Sequence, residues 1–281
     1  MVDVVDVLDV VDVLDVLGPS HLVVVRGGGD LATGVVWRLH HAGFGVVVTE
    51  LAAPLTVRRT VAVSTAVTCG QTAVEGMVAR LVDAEEARRV AARGEIAVVV
   101  SPTLPALGQD VVVDARLAKR NIDTRVSDAR LVVGLGPGFC AGVDCHAVIE
   151  TMRGPRLGRV IWQGSAEPNT GTPGEVGGHG ADRVLRAETG GIARWDREIG
   201  DAVEAGERLG IVGDQVLPAP FRGVVRGLIA EGTPVAPGCK VGDIDPRADT
   251  RCDEISDKAL AVGGGVLEAV LRWMRTTPTT R

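Results

Sequence analysis

Three short stretches carry residue types that could do chemistry. The first is Gly27-Gly28-Gly29-Asp30-Leu31-Ala32, which fits the G-x-G-x-x-A form of the dinucleotide-binding fingerprint. Gly27 permits a tight turn, Gly29 lets backbone amides approach a pyrophosphate, and Ala32 keeps a helix close to a sheet. The helix N-terminus adds partial positive charge. Asp30 is discordant, because it sets a negative charge beside the expected phosphate. Glu50 follows at about the ~20-residue spacing at which an acid accepts hydrogen bonds from ribose hydroxyls. The second stretch is DARLAKRNIDTR, from Asp114 to Arg125. Its Lys119, Arg120 and Arg125 suit phosphate or carboxylate groups. The alternative is a solvated helix with internal ion pairs. The third stretch, GLGPGFCAGVDCHAVIET, sets Cys145 beside His146. An imidazole can hold a thiol as thiolate, ready to act as a nucleophile or soft-metal ligand. However, sequence neighbours on a strand point to opposite faces, and Cys140 and Cys145 lack C-x-x-C spacing. Inert buried thiols are the alternative.

Something must bring these stretches together. Leu22–Val25, Val46–Val48, Ile96–Val100, Val111–Val113 and Leu131–Val133 are apolar, β-branched runs that read as buried strands. Leu31, Val35 and Leu39 recur at helical spacing after Asp30, a candidate cap, and Asp83 with Glu86 makes a capping-box pattern opening a helix through Arg93. Strands alternating with helices predict an α/β fold: a Rossmann-like parallel sheet with helices on both faces, spanning residues 21–180. Ligands of such sheets sit beyond the carboxyl ends of the strands, where all three stretches would meet. Residues 164–180 form a long Gly- and Pro-rich loop, read as covering that site.

From Arg183 the pattern changes to short strands. Residues 181–250 resemble the small all-β barrel-sandwich fold of biotinyl and lipoyl carrier domains. The hairpin that would carry a modified lysine is Gly213-Asp214-Gln215-Val216, without lysine, which argues against carrier function. Residues 251–275 read as a helical segment, capped by Ser256, that packs back on the first domain. Its Asp257-Lys258-Ala259 is superficially similar to a lipoyl site but lies after the barrel. Residues 276–281 read as a tail. Residues 1–20 form a low-complexity extension with Asp at positions 3, 6, 9, 12 and 15, a period that suits neither strand nor helix.

Composition narrows the classes. The 281 residues are 46% hydrophobic, enough for a sizeable core. A net charge of −6 disfavours nucleic acid as a partner, and an aromatic content of 2% without tyrosine leaves no base-stacking platform. Five cysteines and no export signal suggest reduced thiols in the cytoplasm. No apolar run is long enough to cross a bilayer, so no membrane partner is expected. A homo-oligomer is left open.

GGGDLATG, DARLAKRNIDTR, GLGPGFCAGVDCHAVIET, GSAEPNTGTPGEVGG, KVGDIDPR and ISDKALAVGGGVLEA together resemble the YqeB family. These are accessory proteins of the selenium-dependent molybdenum hydroxylase system. The resemblance covers residues 22 to 272, with GGGDLATG standing where the family usually has GAGDLATG. It implies a cytosolic maturation role, with a hydroxylase of the xanthine dehydrogenase type as partner. It supplies no reaction and no catalytic residue. Joined to the residues above, it suggests a molybdopterin dinucleotide, or a related nucleotide, at the Rossmann edge. Gly27, Gly28 and Gly29 would cradle its pyrophosphate beside Asp30, Glu50 would hold a ribose, and Lys119, Arg120 or Arg125 would neutralise phosphate. Cys145 with His146 could carry sulfur or selenium as a transient adduct. The competing readings are an NAD(P)-dependent oxidoreductase acting on a small molecule and a non-catalytic docking scaffold.

Overall fold

The computed structural model describes residues 21–171 and 175–276. The low-complexity extension 1–20 and tail residues 277–281 lie outside the described residues, as do 172–174 of the Gly-rich loop. In chain order the first part comprises β1 (Leu22–Arg26), α1 (Asp30–His41), β2 (Gly45–Glu50), α2 (Ala66–Cys69), β3 (Gln71–Val74), β4 (Met77–Leu81), α3 (Ala84–Ala92), β5 (Ile96–Val100), β6 (Val111–Asp114), β7 (Leu131–Leu135), β8 (Ala147–Ile149) and β9 (Val160–Ile161).

These strands form one nine-stranded sheet in the order β3-β4-β5-β2-β1-β6-β7-β8-β9. β1 lies at its centre, with Val24 paired to Val47 on one side and to Val112 on the other. Strand residues alternate between two cores, as a pleated strand requires. Val23, Val25, Val46, Val48, Val111 and Val113 join one core with α1, whereas Val24, Val47, Val112 and Val132 join the other with α3.

The sheet corrects the expected Rossmann-like architecture. It is mixed, because β3 and β9 run antiparallel at its two edges. The β5–β6 and β7–β8 connections contain no helix, and the β6–β7 connection has only one 3-10 turn, Val126–Asp128. A doubly wound sheet needs a helix in its crossovers. The valine runs misled because burial on both faces fixes a strand's composition but not the direction of its neighbours.

The expected carrier-type barrel-sandwich is corrected likewise. The second part contains β10 (Val184–Arg186), β11 (Gly191–Trp195), β12 (Ala202–Val203), β13 (Arg208–Val212), β14 (Gln215–Pro218), β15 (Gly223–Leu228), β16 (Pro234–Val235) and β17 (Lys240–Asp245). They make two four-stranded antiparallel sheets, β10-β17-β15-β12 and β14-β13-β11-β16. Leu209, Leu228, Ile229 and Ile244 fill the core they share. The turn between β13 and β14 is short, and β17 carries buried aspartates in place of a plain apolar run. What is seen is a mixed α/β protein with one large mixed sheet and two small antiparallel ones.

The last element is α4 (Asp257–Thr276). The Ala259 N–H donates to Ser256 Oγ at 3.2 Å, which is the expected cap. Val262, Val266, Ala269 and Val270 of α4 are buried in the core of the large sheet. Where α4 crosses α1 the backbones nearly touch. A Cβ on Gly34 would overlap the backbone of Ala259, and one on Gly263 would overlap the carbonyl of Gly34.

Candidate functional site

The glycine turn after β1 is occupied by its own chain. Gly27 has φ +92°, and a Cβ there would stand 3.1 Å from the Ala115 carbonyl. The Gly28 N–H donates to Glu50 Oε2 at 2.8 Å, and the other Glu50 oxygen accepts the Leu51 N–H at 2.8 Å. The Ser64 N–H donates to the Gly28 carbonyl at 3.0 Å, and a Cβ on Gly28 would meet Ser64. Thr33 Oγ1 donates to the Gly29 carbonyl at 2.9 Å and accepts the Val63 N–H at 3.0 Å. Close backbone approach is therefore used, but by residues 63–64 rather than by a pyrophosphate. Glu50 folds onto the turn instead of reaching outward. Asp30 pairs with Arg58 at 3.2 Å.

The cationic stretch divides in two. Arg116 forks onto Asp114 at 3.1 and 3.2 Å and reaches Asp123 at 2.7 Å. The buried Arg26 also meets Asp123, at 2.8 Å, and Thr124 at 2.9 Å. Arg26 holds the Asp123 carboxyl at about 2, below the usual carboxylate range, with Arg116 assisting. This half is an internal ion-pair network. Arg120 and Arg125 are exposed outside the cleft described below, whereas Lys119 lines its rim. Lys119 (φ +61°) and Leu117 (φ +55°) both hold the left-handed conformation. Each such residue costs about 1–3 kcal/mol, strain of the kind that clusters at ligand sites. Gly138 (φ +107°) lies beneath them. A Cβ there would stand 2.5 Å from Arg120 Cα, and the Gly138 carbonyl accepts the Asn121 N–H at 3.1 Å.

Cys145 and His146 do not form a reactive pair. Cys145 is fully buried among Phe139, Ala141 and Val148, and burial pushes its thiol up to about 12. His146 Nδ1 accepts the Val132 N–H at 2.9 Å, so this ring nitrogen carries no proton. Burial lowers the imidazole pKa further, favouring the neutral ring. Cys69, in contrast, is exposed. Alkylation of the native protein at mildly alkaline pH is expected to mark Cys69 and to spare Cys145 until denaturant is added. Peptide mass spectrometry reads this directly, and native labelling of Cys145 at the rate of Cys69 would show an accessible thiolate.

The chain's polar groups converge elsewhere. A cleft of about 480 Å³ opens between the carboxyl ends of β1, β7 and β8, the β15–β17 face, and the start of α4. Leu31, Val57, Leu117, Leu135, Pro137 and Met152 give it an apolar lining. Seven basic and four acidic side chains surround these, so the cleft is cationic within an acidic chain. Asp243, 1% exposed, is its buried anchor. Arg183 pairs with it, Lys240 lies at 3.4 Å and Arg58 at 3.7 Å. Arg226 lines the same wall and pairs with Asp245 at 2.9 Å. On the opposite side the buried Glu150 accepts the N–H groups of Met152 at 2.7 Å and Glu167 at 2.8 Å. Arg153, also in the lining, pairs with Asp257 at 2.9 Å. The ammonium of Lys258, in the first turn of α4, has no hydrogen bond or ion pair among the described residues. Burial, with Arg153 nearby, lowers its pKa, and burial does the same to Lys240.

A concave, partly apolar site with converging cations suits an organic anion of nucleotide size. Of the residues singled out from sequence, Asp30 and Lys119 line it, and Gly27, Gly28, Gly29, Glu50, Arg120, Arg125, Cys145 and His146 do not. Arg58, Arg183, Arg226, Lys240 and Lys258 were missed. A signal existed in KVGDIDPR, where Asp243 and Asp245 fall on one face of a strand bounded by Lys240 and Arg247. No group of three or more His, Cys, Asp or Glu among the described residues is arranged to hold a metal ion. None of the described helices is long and apolar enough to cross a membrane.

The chain is 48% identical over 266 residues to a protein of Escherichia coli strain K12 described as uncharacterized protein YqeB. The match covers 91% of this chain and 49% of the relative, so the chain spans about half of that protein's length. No family model matches. A crystal structure of a succinylglutamate desuccinylase/aspartoacylase from Rhodobacter sphaeroides is 16% identical, covers 83% of this chain and 87% of its own, and has a TM-score of 0.27. A likeness at that level assigns neither fold nor activity.

Proposed function

We propose that this chain, a homologue of YqeB over about half of that protein's length, serves the maturation of a selenium-dependent molybdenum hydroxylase. In this reading it holds an anionic cofactor, a molybdopterin dinucleotide or a related nucleotide, in the cleft between the large sheet and the antiparallel sheets. The observation that carries the ligand class is the inversion of charge in that cleft. A chain of net charge −6 gathers seven basic side chains around one apolar-lined cavity. The hydroxylase as partner rests on the resemblance of the long sequence motifs.

The residues divide the work. Arg58, Lys240 and Lys258 attract the anion, and the apolar lining receives its rings. Asp243 keeps three cations from drifting apart under their own repulsion. In this reading the cleft captures a cofactor and delivers it. The test is made in cells that produce such a hydroxylase with molybdate and selenium supplied. Removing the gene should leave the hydroxylase polypeptide at its normal level and cut its specific activity at least tenfold, with recovery on adding the gene back. Full activity in the deletion strain would overturn the proposal.

A further inference from the structure

We infer that Lys258, Lys240 and Lys119 form a pyrophosphate subsite within the cleft, with Lys258 as its central contact. This inference rests on the reading of the cleft as an anionic cofactor site and locates the anion within it. The three lysines come from separate elements: the first turn of α4, the start of β17, and the loop after β6. All three line the same cavity.

Two observations separate these cations from ordinary surface lysines. First, Lys258 is partly buried and its ammonium is without a partner among the described residues, although Asp30 and Glu150 both lie close enough to act on its charge. Asp30 is already engaged by Arg58, and Glu150 by two backbone N–H groups. The ammonium therefore has unused donors in a site where an unpaired charge is disfavoured. Secondly, the backbone that carries Lys119 is held in a left-handed conformation. Gly138 makes room for that loop, because any side chain there would strike Arg120. Among the non-glycine residues with positive φ, Leu117 and Lys119 both line the cleft, and Glu75 does not.

Lys240 shares Asp243 with Arg183 and Arg58, so that carboxylate is outnumbered and leaves positive potential toward the cavity. A pyrophosphate in the cleft would be neutralised by ammonium groups carried on three separate elements. Ammonium groups act as point charges and tolerate several phosphate geometries, unlike an arginine fork. That tolerance suits a bridging pyrophosphate, whose oxygens face different ways.

Isothermal titration calorimetry at low ionic strength tests this on the full chain. The probes are inorganic pyrophosphate and cytidine, guanosine and adenosine diphosphates. Saturable binding of pyrophosphate is expected, weakened at least tenfold in Lys258→Gln. It should also be weakened at least tenfold in Gly138→Ala, which displaces Lys119 without removing a charge. Arg89→Gln, a matched charge loss on α3, should bind as wild type. Tighter binding of any nucleoside diphosphate would identify the source as a nucleotide, and equal binding would identify free pyrophosphate. Either result supports the subsite. Absence of saturable binding of all four probes overturns it, as does wild-type affinity in a folded Lys258→Gln protein. Neither negative touches the maturation role, which is decided by hydroxylase activity in the deletion strain.

Discussion

Gly263→Val is expected to destabilise the protein by about 3 kcal/mol, at the upper end of what overpacking usually costs. The reason is the α1–α4 crossing. The Gly263 Cα faces the Gly34 carbonyl so closely that even one added carbon overlaps it, and the side chain of Arg38 stands behind. Gly34 in turn has no room against Ala259. Neither helix can yield alone, because Val35, Val36 and Leu39 of α1 and Val262 and Val266 of α4 are anchored in one core. Relief requires α4 to move off the sheet, uncovering apolar area worth ~25 cal/mol per Å². Urea denaturation followed by circular dichroism measures the loss. Gly264→Val is the control. Nothing lies within 4 Å of a Cβ there, so only the small propensity difference between glycine and valine should register. Equal midpoints for the two variants would show that the helices are not in backbone contact.

Asp243→Ala should cost about 3 kcal/mol, the lower end of what breaking a buried ion pair costs when one partner is removed. Asp243 is 1% exposed, and three cations from three segments depend on it. Its removal leaves Lys240 desolvated without a counter-charge. The consequence has a sign that can be checked. Burial already holds the Lys240 pKa below its ordinary value, and Asp243 is the largest influence opposing that shift. In the variant the folded-state pKa falls further, so the unfolded chain binds more protons between that value and ~10.4. Stability then rises with pH across that window. The variant should therefore regain part of its loss between neutral and alkaline pH, and Lys240→Met in the same background should remove that regain. A flat difference from wild type across the range would place the cost in packing rather than in charge.

Individual strands were legible because they obey simple rules, although the architecture they build was not. The runs from Leu22, Val46, Ile96, Val111 and Leu131 are strands, and Ser256 does cap the last helix. What composition could not show was direction and connection. β3 and β9 turn antiparallel at the edges, and several crossovers carry no helix, although nothing in a valine run distinguishes these cases. Asp83 precedes a real helix, yet its side chain makes no cap hydrogen bond. The site was less legible, for a physical reason. A motif read along the chain finds residues that are close in sequence, and this cleft is assembled from Asp30, Lys119, Glu150, Asp243 and Lys258 across the whole chain. The glycine turn illustrates the converse. Its residues have the freedom needed to approach a phosphate, but residues 63–64 and Glu50 take up that freedom first.

The return of α4 to α1 also bears on the order in which the protein can be made. The apolar face of α1 is made before its cover, which follows only after both antiparallel sheets. Until then a nascent chain would carry the apolar stripe of Leu31, Val35, Val36 and Leu39 without the helix that covers it, a surface prone to association. The same delay applies to the cleft, because Lys258 belongs to the late helix. A growing chain would complete this cleft, the site of the proposed anion, only as that helix docks.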